Sequence, residues 1–160
     1  HFALLSHRLV DMDTNYGDLP AHNGLWEAAI NTRHDVLARL ALVPMVLEAR
    51  GLDTTPTAVA QLKANGDAET AAILEKIGRE EIRHVAAGVR WFEHIAADRD
   101  MDPVAAFHHL AATLFAGSIK PPFNAQARMA AGMSEAYFRP YQSNLSTDHS
   151  LVRKAGQMKC

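Results

Sequence analysis

Glu81-Ile82-Arg83-His84 lies in the middle of a helical pattern running from about Asp67 to Ala97. The apolar face of that pattern reads Leu74, Ile77, Val85, Gly88, Trp91, Phe92 and Ile95, stepping by three and four. Glu81 and His84 fall on the same face. A carboxylate and an imidazole at the centre of a core-facing stripe need something to compensate their desolvation. Glu-x-x-His sets both side chains on one side of a helix about one turn apart, close enough to hold one metal ion. Taken alone, the pair also describes a solvated Glu and His on a helix turned the other way. The rest of the chain has to decide.

A second carboxylate decides it. Glu48 belongs to a pattern that starts near Gly24 and runs to about Arg50, on the face that also holds Leu37, Ala41, Pro44 and Met45. If the chain reverses near Gly66, about 17 residues climb from Glu48 to the turn and about 15 descend to Glu81. At about 1.5 Å per residue the two carboxylates then stand at one level of an antiparallel helix pair. This requires the helix expected over residues 55–63 to continue the direction of the one before it. Two carboxylates facing each other repel, which shifts a pKa or calls for a cation. Oxygen ligands with one imidazole per metal suit iron or manganese. The bland alternative for Glu48 is a surface residue beside Arg50.

Composition bounds the rest. With 160 residues and 48% hydrophobic side chains, the chain is one domain's worth with enough apolar surface for a core. A formal charge of −2, with the two signs well mixed, argues against a strongly electrostatic nucleic-acid binder. No apolar run approaches the length of a membrane span. The one cysteine, Cys160, rules out a disulfide within the chain and fits an intracellular, reducing compartment such as cytoplasm or an organelle matrix. Asn144-Leu145-Ser146 matches a glycosylation triplet, which is common by chance.

In chain order, residues 1–10 read as the last turns of a helix, so an upstream segment is expected, and Asp11 to Asn23 reads as a loop with Gly17 and Pro20 as breakers. Pro44 should kink or widen the 24–50 helix, and Gly51 should end it. Thr55 is the expected N-cap of the short helix that follows, with Pro56 at its first position. Asn65-Gly66-Asp67 turns into the long helix, Asp102-Pro103 opens another to about Phe115, and short helices are expected over 125–131 and 134–139. The reading is all-α, with a helical domain over residues 1–140 and a polar tail over 141–160.

Glu27 and His34 lie at heptad spacing from Ala41 and Glu48, facing either the same channel or the solvent end of the pattern. Asp35 and Arg39 suit an i, i+4 ion pair. His108 and His109 are adjacent and diverge by about 100°, which argues against shared metal binding.

The pattern resembles the ferritin-like carboxylate-bridged di-metal proteins, whose four-helix bundle supplies one Glu from each of two helices and a Glu-x-x-His from each of the other two. Glu48 matches the lone Glu of the second half and Glu81-Ile82-Arg83-His84 its Glu-x-x-His. His1 followed by Phe2 looks like the end of the first-half Glu-x-x-His. More narrowly, several stretches look like the DUF455 branch of that superfamily. They include Tyr16-Gly17-Asp18-Leu19-Pro20-Ala21-His22, Leu25-Trp26-Glu27, Val46-Leu47-Glu48-Ala49-Arg50-Gly51-Leu52-Asp53, Arg90-Trp91-Phe92 and Pro122-Phe123-Asn124, and together they span about residues 1–132.

The resemblance implies the C-terminal part of a ferritin-like bundle with extra C-terminal helices. It also implies a two-iron (or iron–manganese) centre and oxidoreductase or hydroxylase chemistry on an unassigned substrate. The expected metal ligands are Glu48, Glu81, His84 and His1. The first two bundle helices would come from the same polypeptide or from a partner chain. The rival expectation, from a different class, is a ferritin-like structural or interaction subunit of a larger assembly with a vestigial or structural metal. Iron storage would need a cage-forming surface that the sequence does not display.

Overall fold

A computed structural model describes residues 1–141. The tail read over 141–160, with its glycosylation triplet, lies outside them except for Tyr141. The described residues are all-α, with no strand. Their helices are α1 (Phe2–Asp11), α2 (Gly24–Asn31), α3 (Val36–Leu42), α4 (Ala49–Ala64), α5 (Ala68–Asp98), α6 (Pro103–Leu114) and α7 (Ala125–Ala130). A π-helical stretch, Val43–Glu48, joins α3 to α4, and 3-10 turns cover Glu135–Tyr137 and Arg139–Tyr141. No helix among the described residues is long and apolar enough to cross a membrane.

α4 and α5 form an antiparallel pair about Asn65-Gly66-Asp67. Gly66 takes φ +85°, the left-handed conformation that glycine adopts without a Cβ penalty. Asp67 caps α5 by accepting from Thr70 N at 3.0 Å. Lys63 meets Glu75, Thr55 packs on Gly78 and Pro44 packs on Gly88, so each step back along one helix matches a step forward along the other. At Gly88 the approach is closest: a Cβ there would lie 2.4 Å from Pro44 Cβ and 2.5 Å from its Cγ. Only glycine admits the proline ring.

Pro44 widens the helix into the π stretch, as expected of a proline that leaves a carbonyl unpaired. Gly51 does not end the helix, however, and Thr55 caps nothing: α4 runs through both and through Pro56. The reason lies elsewhere in the chain. Pro56 cannot donate to the Leu52 carbonyl, and Asn124 Nδ2 donates to it instead at 3.3 Å. The direction expected for the 55–63 segment is thus continuous, while the expected break is absent. The opposite correction applies upstream. The 24–50 helix is split, because α2 stops at Asn31 and Asp35 starts α3 afresh by accepting from Leu37 N at 3.1 Å.

The core fills the end of the pair away from the Gly66 turn. Leu37, Ala41, Met45, Ala49 and Leu52 meet Val85, Val89, Phe92 and Ala96, with Phe107, Met133, Tyr137 and Phe138 closing the layer. Edge-on aromatic contacts link Phe92 to Phe107 (6.3 Å) and Phe107 to Tyr137 (5.3 Å). Each large apolar side chain buried here contributes about 1.5–3 kcal/mol. α1 and α2 bury no side chain fully.

The buried residues of α5 are Ala71, Val85, Gly88, Val89, Phe92 and Ala96. Their stripe is turned about 50° from the expected one, toward Val89 and Ala96 (at about 100° per residue). Trp91, placed in the stripe by its spacing, is therefore 53% exposed.

Candidate metal centre

α5 presents Glu81 and His84 beside the buried stripe rather than at its centre, and α1 lies over them. Glu81 is half-buried, its side chain 16% exposed, while the His84 side chain is 53% exposed. The expectation of a dry, core-centred pair is corrected by the same rotation that frees Trp91. His84 Nδ1 lies 3.1 Å from Glu81 Oε2 and His1 Nδ1 lies 3.7 Å from that same oxygen. The two imidazole rings stand 5.3 Å apart, tilted by 47°. One ligand atom from each of His1, Glu81 and His84 falls within 4.8 Å of the others.

Glu48 stands on the facing segment, at the last residue of the π stretch, within electrostatic reach of Glu81 and His84. Its carboxyl is raised above the ordinary range, first by burial and then by the charge of Glu81, with His84 acting in the opposite direction. Glu48 and Glu81 thus sense each other across the pair, as the residue count anticipated. Among the described residues, Glu48 has no hydrogen-bond or ion-pair partner.

The donor set suits a metal that prefers oxygen with some nitrogen. Glu81 Oε2 lies between two imidazole nitrogens, and an electrically strained carboxyl faces it. Iron and manganese fit; a thiolate-seeking metal does not, since the only cysteine is Cys160.

Glu80 was not anticipated. His1 Nε2 lies 3.0 Å from Glu80 Oε2. With the proton on Nε2, His1 donates to Glu80 and keeps the Nδ1 lone pair toward Glu81, the usual way an outer carboxylate orients a histidine ligand. Nothing in the spacing of Glu80 signals this, because the contact crosses from another helix.

Other expectations resolve differently. His34 is exposed, and Glu27 lines a cleft of about 570 Å³ with His22, Leu25, Leu47 and Arg50. Neither joins the cluster, since the break after α2 destroys their heptad relation to Glu48. Asp35 pairs with Arg99 at 2.9 Å rather than with Arg39, whose guanidinium reaches the Ala29 carbonyl. Asp35 is positioned by capping α3, which aims its carboxylate at the end of α5. His108 Nε2–H donates to the Ala136 carbonyl oxygen at 2.9 Å, near the C-terminal 3-10 turns.

Residues 1–139 match the family described as "Protein of unknown function (DUF455)". The chain belongs to the DUF455 family. An "Uncharacterized protein" of Haemophilus influenzae is 40% identical over 139 residues, covering 84% of this DUF455 chain and 47% of the relative. The chain spans about half the length of that relative. No solved structure matches it.

Proposed function

We propose that this chain carries part of a ferritin-like bundle and a two-metal carboxylate centre of an oxidoreductase. The observation that supports this best is that His1, Glu81 and His84 each bring a ligand atom within 4.8 Å of the others, while Glu48 on the facing segment feels the charges of Glu81 and His84. Glu81 would serve both metals, His84 and His1 would each hold one, and Glu48 would approach from the opposite helix. Iron, or iron with manganese, bound there supplies the redox chemistry that activates dioxygen or peroxide toward a substrate. The protein's own residues set the conditions. Glu80 keeps the His1 Nδ1 lone pair available, and the raised Glu48 carboxyl takes up a proton readily when the cation leaves.

The test is metal content by elemental analysis of the full-length protein after mild purification. About two iron or manganese per chain is expected for such a centre. Glu48→Ala should lose one of them while helix content by circular dichroism stays near normal. Near-zero metal, with Glu81→Ala harmless to folding and assembly, would overturn the reading.

A second reading is favoured by a different observation. α1 and α2 display Phe2, Leu5, Val10, Leu25, Trp26 and Ile30 to solvent, more apolar surface than isolated helices usually leave uncovered. A ferritin-like interaction subunit would use those faces in a larger assembly. It predicts a stoichiometric partner on co-purification and no oxygen consumption with any reductant.

A further inference from the structure

We infer that Arg8 is the positioning residue for His1: it docks α1 on the start of α5 and so sets where the His1 imidazole stands about two turns away. The inference rests on the metal reading of the His1, Glu81 and His84 cluster.

Burial alone does not fix α1. None of its side chains is fully buried, and Phe2, Leu5 and Val10 are exposed. Two polar attachments hold it instead. Arg8 Nε donates to Thr70 Oγ1 at 2.8 Å, Nη1 to Glu69 Oε2 at 2.8 Å and Nη2 to Asp67 Oδ1 at 3.0 Å. Nη1 also stands 4.0 Å from Asp11 Oδ2. Every nitrogen of the guanidinium is engaged, and its acceptors sit on the capping residue and first turn of α5. Asp67 is itself held by its bond from Thr70 N, so the acceptor is rigid.

The second attachment is His1, through Glu80 and Glu81. Arg8 and His1 are seven residues apart, about 10 Å along a helix. The residues they meet on α5 run the other way, so α1 is antiparallel to α5 and tied to it at two points. A planar fork read by three acceptors specifies both rotation and height, which a lysine ammonium on a flexible stem does not. Releasing the Arg8 end lets α1 turn, and the His1 ring leaves the Glu81 oxygen.

The experiment is an anaerobic calorimetric titration of the full-length protein with Fe²⁺ alone. Wild type, Arg8→Ala, Arg8→Lys, His1→Ala and the Arg8→Ala/His1→Ala double variant are compared. Arg8→Ala should weaken one binding step about ten- to a hundred-fold, the usual effect of losing a group that orients a metal ligand, and leave the other step unchanged. Arg8→Lys should recover only part of that loss. In the His1→Ala background, Arg8→Ala should change nothing further. Unchanged binding in Arg8→Ala, or an equal loss with and without His1, overturns the inference. Imidazole ¹⁵N resonances of the metal-free protein give a second readout, in which Arg8→Ala must move the His1 signals and not those of His109. If wild type takes up no Fe²⁺ while the His1 signals still move, the metal reading fails and the docking role stands. If the His1 signals do not move, the docking role fails.

Discussion

Asp53 and Arg128 meet inside the fold as a closed pair, whereas Glu48 faces Glu81 across the α4–α5 seam with like charge opposite it. The two Asp53 oxygens accept from Arg128 Nε at 2.9 Å and Nη2 at 2.7 Å, and Oδ1 also takes Asn124 N at 2.9 Å. The Asp53 side chain is 0% exposed and that of Arg128 3%. Phe123 and Phe138 lie against the guanidinium, 4.9 Å and 5.4 Å from it. Every demand of those charges is met by the protein. At Glu48 the demand is not met: burial and Glu81 both push its carboxyl toward the protonated form. The first arrangement ties the segment after α6 to α4. The second leaves a chemical need that, on the proposed reading, a divalent cation would answer.

Breaking the closed pair should have the largest effect. Arg128→Ala leaves the buried Asp53 carboxylate with Arg50 as its only charged partner, whose Nη1 lies 3.5 Å from Oδ2, and should cost about 3 kcal/mol in urea unfolding. Replacing both members with apolar residues of similar volume should cost far less. Metal bound per folded chain should stay the same in either variant, since the pair makes no contact with the His1–Glu81–His84 cluster.

Gly88→Ala acts on the other region and should come next. The new Cβ meets the rigid Pro44 ring, so the helices must part, at a cost of about 1–3 kcal/mol. The parting also draws the π stretch, with Glu48 at its end, away from α5. Metal affinity should therefore fall together with stability, measured by unfolding with and without Fe²⁺. A stability loss at unchanged affinity would show that the Pro44–Gly88 contact does not set the spacing of the centre.

Glu48→Gln should give the smallest change and the most telling sign. The folded Glu48 holds its proton more tightly than the unfolded chain does. Its favourable contribution is complete below the ordinary carboxylate range and is lost as pH rises through the raised folded value. At neutral pH in chelator, the glutamine variant should thus melt above wild type, with the difference closing as pH falls. With metal present the order should reverse if Glu48 is a ligand as proposed, since the variant would have lost it.

Several parts of this architecture were open to inspection in the residues themselves. The long helix, its turn at Asn65-Gly66-Asp67 and the Asp102-Pro103 start of α6 depend on local spacing and capping, and they stand where read. The common level of Glu48 and Glu81 follows from helix rise once the 55–63 segment continues the direction of the helix before it. Contacts made across many residues were not open in the same way. Asn124 satisfies the Leu52 carbonyl from 72 positions away, and on that bond the continuity of α4 through Pro56 depends. Arg128 finds Asp53 across 75 positions, in a stretch that local signals assign to a helix start.

The sequence by itself determined an all-α chain with a Glu-x-x-His opposite a second glutamate, because periodicity and rise are properties of each helix alone. Only the tertiary structure decided which edge of α5 is buried, that His84 looks outward, that Glu80 meets His1 and that Arg8 docks on the start of α5. Those outcomes depend on how one helix is turned against another, and that angle is set by packing at residues such as Pro44 and Gly88 rather than by any local pattern.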